Sequence, residues 1–312
     1  MFKIAIVGAG IIGKSHSDAI FSNPDCELVA VCDVNEEKAK EIAIVHSAKC
    51  YTDYKEMADE VEMDVVILNL PHFLHCEVTV FFLEKGINVL VEKPMANTTE
   101  ECDKMIAASK KSGAKLAVGH VQKYYSAVRE VKKIIDSGKY GKLCMITEVR
   151  NVDYVRETRP KWFLEKKLAG GGIVMNYGAH TLDRIMYVTG EKVTEVHAIT
   201  SNPVSEHDID VDVQMLLKLT GDISAAVTFC GNRVPSEHEA SYYFTDGTVK
   251  IKGSDLYLFE NGEFVKYEGT GSLLEKQLEE IIKWLKGEEN ELVTPECGRD
   301  IIRVLEQVTN KQ

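Results

Sequence analysis

A chain of 312 residues, 45% hydrophobic and 28% charged, is long enough for two domains that each bury a core, and its composition excludes a disordered protein. The 49 acidic residues outnumber the 37 basic ones for a formal charge of −12, a sign that repels nucleic acid and anionic membranes, so neither is an expected partner. Eight cysteines without a CxxC pair, no apolar run of membrane-spanning length and no leader pattern before the first strand read as a cytoplasmic protein with reduced thiols; His72 and His75, three apart, do not amount to the four ligands a structural site wants, so no metal is expected there.

Residues 3–7 (KIAIV) read as the first strand, and Gly8-Ala9-Gly10-Ile11-Ile12-Gly13 follows it at the opening of a helical pattern. In that context Gly8 makes a tight turn, Gly10 lets backbone approach a pyrophosphate, and Gly13 lets helix and strand pack closely. The helix N-terminus adds a partial positive charge. A second strand, 27–32, ends at Asp33, 20 residues after Gly13, where a carboxylate can accept from adenosine ribose hydroxyls. The predicted dinucleotide site is therefore Gly8, Gly10, Ile11, Ile12, Gly13 and Asp33. A carboxylate there repels a 2′-phosphate, so NAD is expected over NADP.

A helix over 35–46, strands over 64–69 and 87–91, a helix over 98–112 and a strand over 115–118 continue the alternation. Near-continuous apolar strands separated by helices predict a parallel sheet covered on both faces, a doubly wound Rossmann domain over residues 1–119. Glu92-Lys93-Pro94 follows the strand INVLV at the carboxyl end of that sheet, where ligands bind. Proline restricts the residue before it to extended conformations, so Lys93 is aimed.

From residue 120 the pattern changes. A helix over 126–137 ends at Gly138; Val211, Val213, Met215, Leu217 and Leu219, then Ile223, Ala225, Val227 and Phe229, repeat with a period of two around a Gly221-Asp222 turn. Asp246-Gly247 and Asn261-Gly262 mark further hairpins. Residues 120–312 are expected to form an α+β domain with a largely antiparallel open sheet, flanked by helices near 172–188, 272–286 and 296–309. On a helix starting at Gly172, Asn176, His180, Asp183 and Tyr187 share one stripe, and Met175, Ala179, Leu182 and Met186 share an apolar one. The apolar stripe is core. The polar stripe lacks the lysine and glutamate of a solvated face, and the glycines at 170–172 let another backbone or a cofactor approach, so it reads as a site. Imidazole exchanges protons near neutral pH, as alcohol oxidation requires.

Taken together, GAGIIG (8–13), Asp33, LPHFLHCE (70–77), EKP (92–94), VGHVQKYY (118–125), GGGIVMNYGAHTLD (170–183) and TPECGRDIIRVLE (294–306) resemble, in this order and over essentially the whole chain, the Gfo/Idh/MocA family, named for glucose–fructose oxidoreductase and inositol dehydrogenase. The resemblance implies an NAD(P)-dependent dehydrogenase or reductase in which Lys93 and His180 flank the reacting carbinol, His180 as acid/base and Lys93 stabilising the alkoxide. It adds Leu70, Pro71, His75, Glu92 and Lys93 to the cofactor-binding residues and sets Asn176 and Asp183 beside His180. Many members carry aspartate where this chain has Asn176, which leaves a Lys–His mechanism without a paired carboxylate. Lys123 stands where arginine is frequent, and Tyr124, Tyr154, Trp162 and Tyr177 offer flat faces to a sugar ring. The implied substrate is a secondary alcohol of a sugar, polyol or sugar derivative; the GHV wording is similar to members that oxidise nucleotide sugars. A redox-neutral hydrolase or lyase using NAD transiently, and a non-catalytic NAD(H) sensor, fit the same motifs. Relatives pair through the open sheet, so a homodimer or homotetramer is expected through strands near 208–230 and 238–252, where Gln214, Leu216, Ala226 and Thr228 alternate away from the core.

Overall fold

The computed structural model describes residues 1–203 and 206–310 and divides into two compact units, Met1–Val121 with Ser272–Arg299 and Gln122–Gly271 with Asp300–Gln312. The first unit begins β1 (Phe2–Val7), α1 (Ile11–Phe21), β2 (Cys26–Cys32), α2 (Glu36–His46), β3 (Lys49–Tyr51), α3 (Tyr54–Glu60), β4 (Val65–Leu68), α4 (His72–Glu84), β5 (Asn88–Glu92), α5 (Thr99–Ser112) and β6 (Leu116–Gly119). Its six strands are all parallel, in the order β3-β2-β1-β4-β5-β6. The cause lies in the strands: Ile4 and Ile6 of β1 and all of Val65–Leu68 are buried, as a sheet covered on both faces demands. The strand order reverses between β1 and β4, which opens a crevice at their carboxyl ends, where Gly8 and Asn69 follow.

The second unit contains α6 (Ser126–Ser137), β7 (Leu143–Asp153), α7 (Lys166–Ala169), α8 (Ala179–Thr189), β8 (Val193–Ser201), β9 (Asp212–Leu219), β10 (Ser224–Cys230), β11 (Asn232–Phe244), β12 (Thr248–Lys252), β13 (Asp255–Glu260) and β14 (Glu263–Tyr267). They form one sheet in the order β14-β13-β12-β11-β7-β10-β9-β8, antiparallel except where β10 lies parallel to β7. Asn261 and Gly262 both take positive φ, 52° and 90°, the backbone a two-residue hairpin turn demands. Val213, Met215, Leu217, Ala225, Val227 and Phe229 lie on the buried face. On the other, Gln214 and Leu216 are exposed and Ala226 and Thr228 half-buried, with Ile199, Met145 and Val149 also open to solvent.

Two expectations are corrected. A plain helix does not run from Gly172: a π-helical turn, Val174–Gly178, precedes α8. The wider turn changes the angular step between Asn176 and the residues of α8, and α8 itself is buried from Thr181 through Ile185. Asp183 lies in the interior beside Lys123 and Arg184, while Asn176, His180 and Tyr187 stay half-exposed.

Nor does the second domain extend unbroken to the end of the chain. Helix α9 (Leu273–Lys286) returns to the first unit, where Leu278, Ile281 and Ile282 join Ile4, Ile6 and Ile20 in one core, and Val118 donates its N–H to the Val293 carbonyl at 3.0 Å. The last helix, α10 (Pro295–Thr309), contributes to both units. An amphipathic pattern states that a helix has an apolar face; it does not state which core receives it.

Candidate functional site

The glycine loop is specialised residue by residue. Gly8 sits at φ +97°, and a Cβ there would lie 2.3 Å from the Asn69 carbonyl oxygen. A Cβ on Gly13 would lie 2.0 Å from the Gly8 carbonyl oxygen, so α1 can pack this close only without a side chain. Around Gly10 no atom of the described residues lies within 4 Å of where a Cβ would stand; that glycine leaves room outward rather than against the protein. Asp33 accepts the Ala9 N–H through Oδ2 at 2.7 Å and the Asn35 N–H through Oδ1 at 2.8 Å, which ties the loop to the end of β2. A carboxylate has about four acceptor positions, so further ones stay open to hydroxyls.

The N-terminus of α1 has no side-chain cap and no acid in its first turn. In contrast, α2 is capped by Asn35 and begins with Glu36 and Glu37. Leading N–H groups left in this way suit an anion. Ile11 and Ile12 flank them, 87% and 48% exposed. Both polar atoms of the Asn69 amide are buried there without a hydrogen-bond partner among the described residues. An open cradle, uncapped donors and an orphaned amide fit a dinucleotide.

Glu92-Lys93-Pro94 is held from several sides. His16 Nε2 of α1 lies 3.1 Å from Glu92 Oε1, the Lys93 N–H donates to Glu92 Oε2 at 3.2 Å, and a Cβ on Gly119 would come within 2.9 Å of Glu92 Oε1. His75 has no exposed surface; its Nδ1 lies 2.8 Å from the Pro94 carbonyl oxygen and its Nε2 2.8 Å from that of Leu70. Burial holds its pKa below the ordinary histidine value. His75 thus joins the Leu70-Pro71 loop to the EKP turn.

In the second unit the triple glycine admits backbone. Asp210 accepts the N–H of Gly172 at 2.8 Å and of Val174 at 2.7 Å, and a Cβ on Gly172 would lie 1.9 Å from the Asp210 carbonyl oxygen. This fixes the start of the segment that carries Asn176 and His180. Lys123 is buried, its ammonium 5.6 Å from the Tyr124 ring and 5.4 Å from the Tyr187 ring. Burial pushes the Asp183 carboxyl up to about 6, opposed by Lys123 and Arg184. Tyr124 and Tyr154 are buried, whereas Tyr177 and Trp162 are half-exposed, and Trp162 stacks on Phe163 at 3.7 Å.

Beneath α8 lies an ionic cluster. Glu148 of β7, 2% exposed, accepts from the Arg184 guanidinium and from the Thr181 hydroxyl at 2.7 Å, with His238 Nε2 at 3.2 Å. Burial alone would raise the Glu148 pKa; Arg184 and His238 hold it well below the carboxylate range.

Residues 2–120 match the oxidoreductase family model described as an NAD-binding Rossmann fold, and residues 128–250 match the GFO/IDH/MocA C-terminal domain. The chain belongs to the Gfo/Idh/MocA family. Among sequence relatives, a 1-carboxy-3-chloro-3,4-dihydroxycyclohexa-1,5-diene dehydrogenase of Comamonas testosteroni is 28% identical over 230 residues, covering 73% of this chain and 58% of that protein. A D-glucoside 3-dehydrogenase of Escherichia coli (strain K12) is 33% identical over 192 residues, covering 60% and 54%. The chain therefore spans a little over half the length of these curated relatives. In fold, the WlbA dehydrogenase of Bordetella pertussis, crystallised with NADH and UDP-GlcNAcA, superposes with a TM-score of 0.85 over 99% of this chain and 95% of that one, at 22% identity.

Several residues whose burial or hydrogen bonding the structure makes notable were not singled out from sequence: His16, Asn69, Glu148, Arg150, Arg159, Arg184, Asp210 and His238. Asn69 carried a usable signal, since it stands at the carboxyl end of an apolar strand, directly before Leu70-Pro71. No helix among the described residues is long and apolar enough to cross a membrane.

Proposed function

We propose that the chain is an NAD-dependent dehydrogenase that oxidises a secondary alcohol of a sugar, polyol or sugar derivative, or reduces the corresponding ketone. The observation that carries this reading is the loop at Gly10, open outward and tied through Ala9 to the Asp33 carboxylate. Its donors suit a pyrophosphate and its acceptor suits an unmodified ribose, which favours NAD over NADP. The cofactor, when bound, supplies a hydride acceptor. The protein's part is the proton and the charge: His180, half-exposed on α8, takes the hydroxyl proton, and Lys93 stabilises the developing alkoxide. Asn176 orients a neighbouring hydroxyl, and Trp162 offers a flat face to the ring. Lys123, Tyr124 and Asp183 are buried, and their proposed part is to position the substrate-facing residues.

Both sequence relatives are named as dehydrogenases, one of a dihydroxylated ring and one of a glucoside, which supports a ring hydroxyl as the reacting group. The complex of the WlbA dehydrogenase supports including nucleotide sugars among candidate substrates. We place the enzyme in the cytoplasm, with its thiols reduced, and as a homodimer or homotetramer that covers Ile199, Leu216, Met145 and Val149; a monomeric mass by light scattering contradicts that assembly.

Screening polyols, aldoses and nucleotide sugars for NADH absorbance tests the reading, with NADH accumulating for at least one of them. Substrate consumed with no net absorbance indicates a redox-neutral lyase or hydrolase, and NAD bound without turnover indicates a sensor. Either outcome contradicts it.

A further inference from the structure

The buried charges of the second unit do not balance. Among the described residues, Lys123, Arg150, Arg159 and Arg184 are buried there against the carboxylates Glu148, Asp183 and Asp210. Asp210 is committed to the N–H groups of Gly172 and Val174, Asp183 feels Lys123 and Arg184, and the single Glu148 accepts directly from Arg184 while also attracting Arg150. One positive charge is in surplus.

The geometry points to Arg150 as its seat. On β7, Arg150 stands in register with Phe229 of β10 and His238 of β11, facing the buried side. It is 6% exposed, and its Nε is buried with no hydrogen-bond partner among the described residues. The guanidinium lies 5.0 Å from the centre of the Tyr177 ring, and the Tyr177 and Tyr154 rings meet edge to face at 6.1 Å. Arg159 completes the group, 4.0 Å over the Tyr154 ring with its Nε donating to the Tyr154 carbonyl. Two guanidiniums thus flank a pair of tyrosines, and Tyr177 stands one turn before His180. Burial, and then Arg184, push the Arg150 pKa down to about 10, so it remains charged at neutral pH.

A buried guanidinium with an unsatisfied donor is destabilising unless a counter-ion completes it. We infer that Arg150, with Arg159 beside it, binds the carboxylate of an acidic substrate, so that the hydroxylated ring oxidised by this enzyme is a sugar acid. Arginine presents paired donors that match a carboxylate in two parallel hydrogen bonds. A surplus of one charge suits a monoanion better than a phosphate dianion. The inference deepens the dehydrogenase reading and rests on it for the hydroxylated ring.

The test compares matched ligands on the NADH-loaded protein: glucose with glucuronate and glucose 6-phosphate, galactose with galacturonate, and gluconate, each titrated by calorimetry. At least one acid binds more tightly than its neutral partner, and Arg150→Gln weakens that acid by about 10- to 100-fold, the loss of one charge-assisted hydrogen bond, while neutral sugars are unaffected. In turnover the same substitution raises KM and leaves kcat nearly unchanged, and Arg150→Lys falls in between. Neutral sugars bound as well as their acids, the phosphate preferred over the acids, or no acid bound at all overturns the assignment, and these wild-type comparisons decide it even if Arg150→Gln does not fold. NADH formed from neutral alcohols alone leaves the dehydrogenase standing and removes this inference. An acid bound through Arg150 with no NADH formed from any alcohol does the reverse.

Discussion

The glycine loop after β1 and the ionic cluster under α8 handle charge in opposite ways. The loop is one contiguous stretch that keeps its charge in the backbone, as uncapped N–H groups at the start of α1, and leaves space at Gly10. The cluster draws Glu148 from β7, Thr181 and Arg184 from α8 and His238 from β11, and encloses full charges. A site of the first kind tolerates change wherever nothing packs against it. In the second kind each member is held by the others, so loss of one strands the rest.

The widest gap between the regions concerns stability. Glu148→Ala leaves Arg184 buried without its carboxylate and is expected to cost about 3–5 kcal/mol in denaturant unfolding. A cost below about 1 kcal/mol, the range of exposed ion pairs, removes the contrast. Asp183 is next. Its folded pKa, about 6, lies above the unfolded value near 3.9, so its contribution to stability is fully present below about pH 4 and lost as pH rises through about 6. Asp183→Asn should flatten that slope, worth on the order of 2–3 kcal/mol at neutral pH.

Within the loop the same contrast can be sharpened glycine by glycine. Gly13→Ala drives a Cβ into the Gly8 carbonyl and should cost about 1–3 kcal/mol. Gly10→Ala should leave the melting temperature unchanged and weaken NAD binding, because its Cβ enters open space; equal melting losses for both would show that the loop is scaffold alone. The smallest effect is expected at Asp33. Asp33→Ser should narrow the preference for NAD over NADP, and NADP already bound tighter by wild-type protein would contradict that role.

What was legible follows the same division. Glycine turns, Asn261-Gly262 and five of the six strands of the first sheet are short local words whose meaning is backbone geometry, and they lie within a residue or two of where the pattern placed them, whereas the three-residue β3 was too short to read. Lys93 and His180 were singled out from motifs of that kind. Glu148 and Arg150 were not, because charged residues two apart on a strand read as a solvated face until the opposing helix is known. Helix α9 showed its apolar face in sequence but not the sheet that receives it, and Asp183 shares a stripe with His180 and Tyr187 yet is buried by neighbours distant in sequence that no period of 3.6 foretells.

The central claim is that His180 exchanges the proton of an alcohol oxidised by NAD. The most direct measurement is kcat of His180→Ala on the best substrate from the NADH screen, under conditions where chemistry limits the rate. The account predicts a fall of about 10²–10⁴-fold with NAD affinity unchanged, and less than a multiplicative further loss when Lys93→Met is added. Retention of more than about a third of wild-type kcat, far above what loss of a general base leaves, would contradict it and make α8 scaffold, with the base to be sought at His120 or Tyr124.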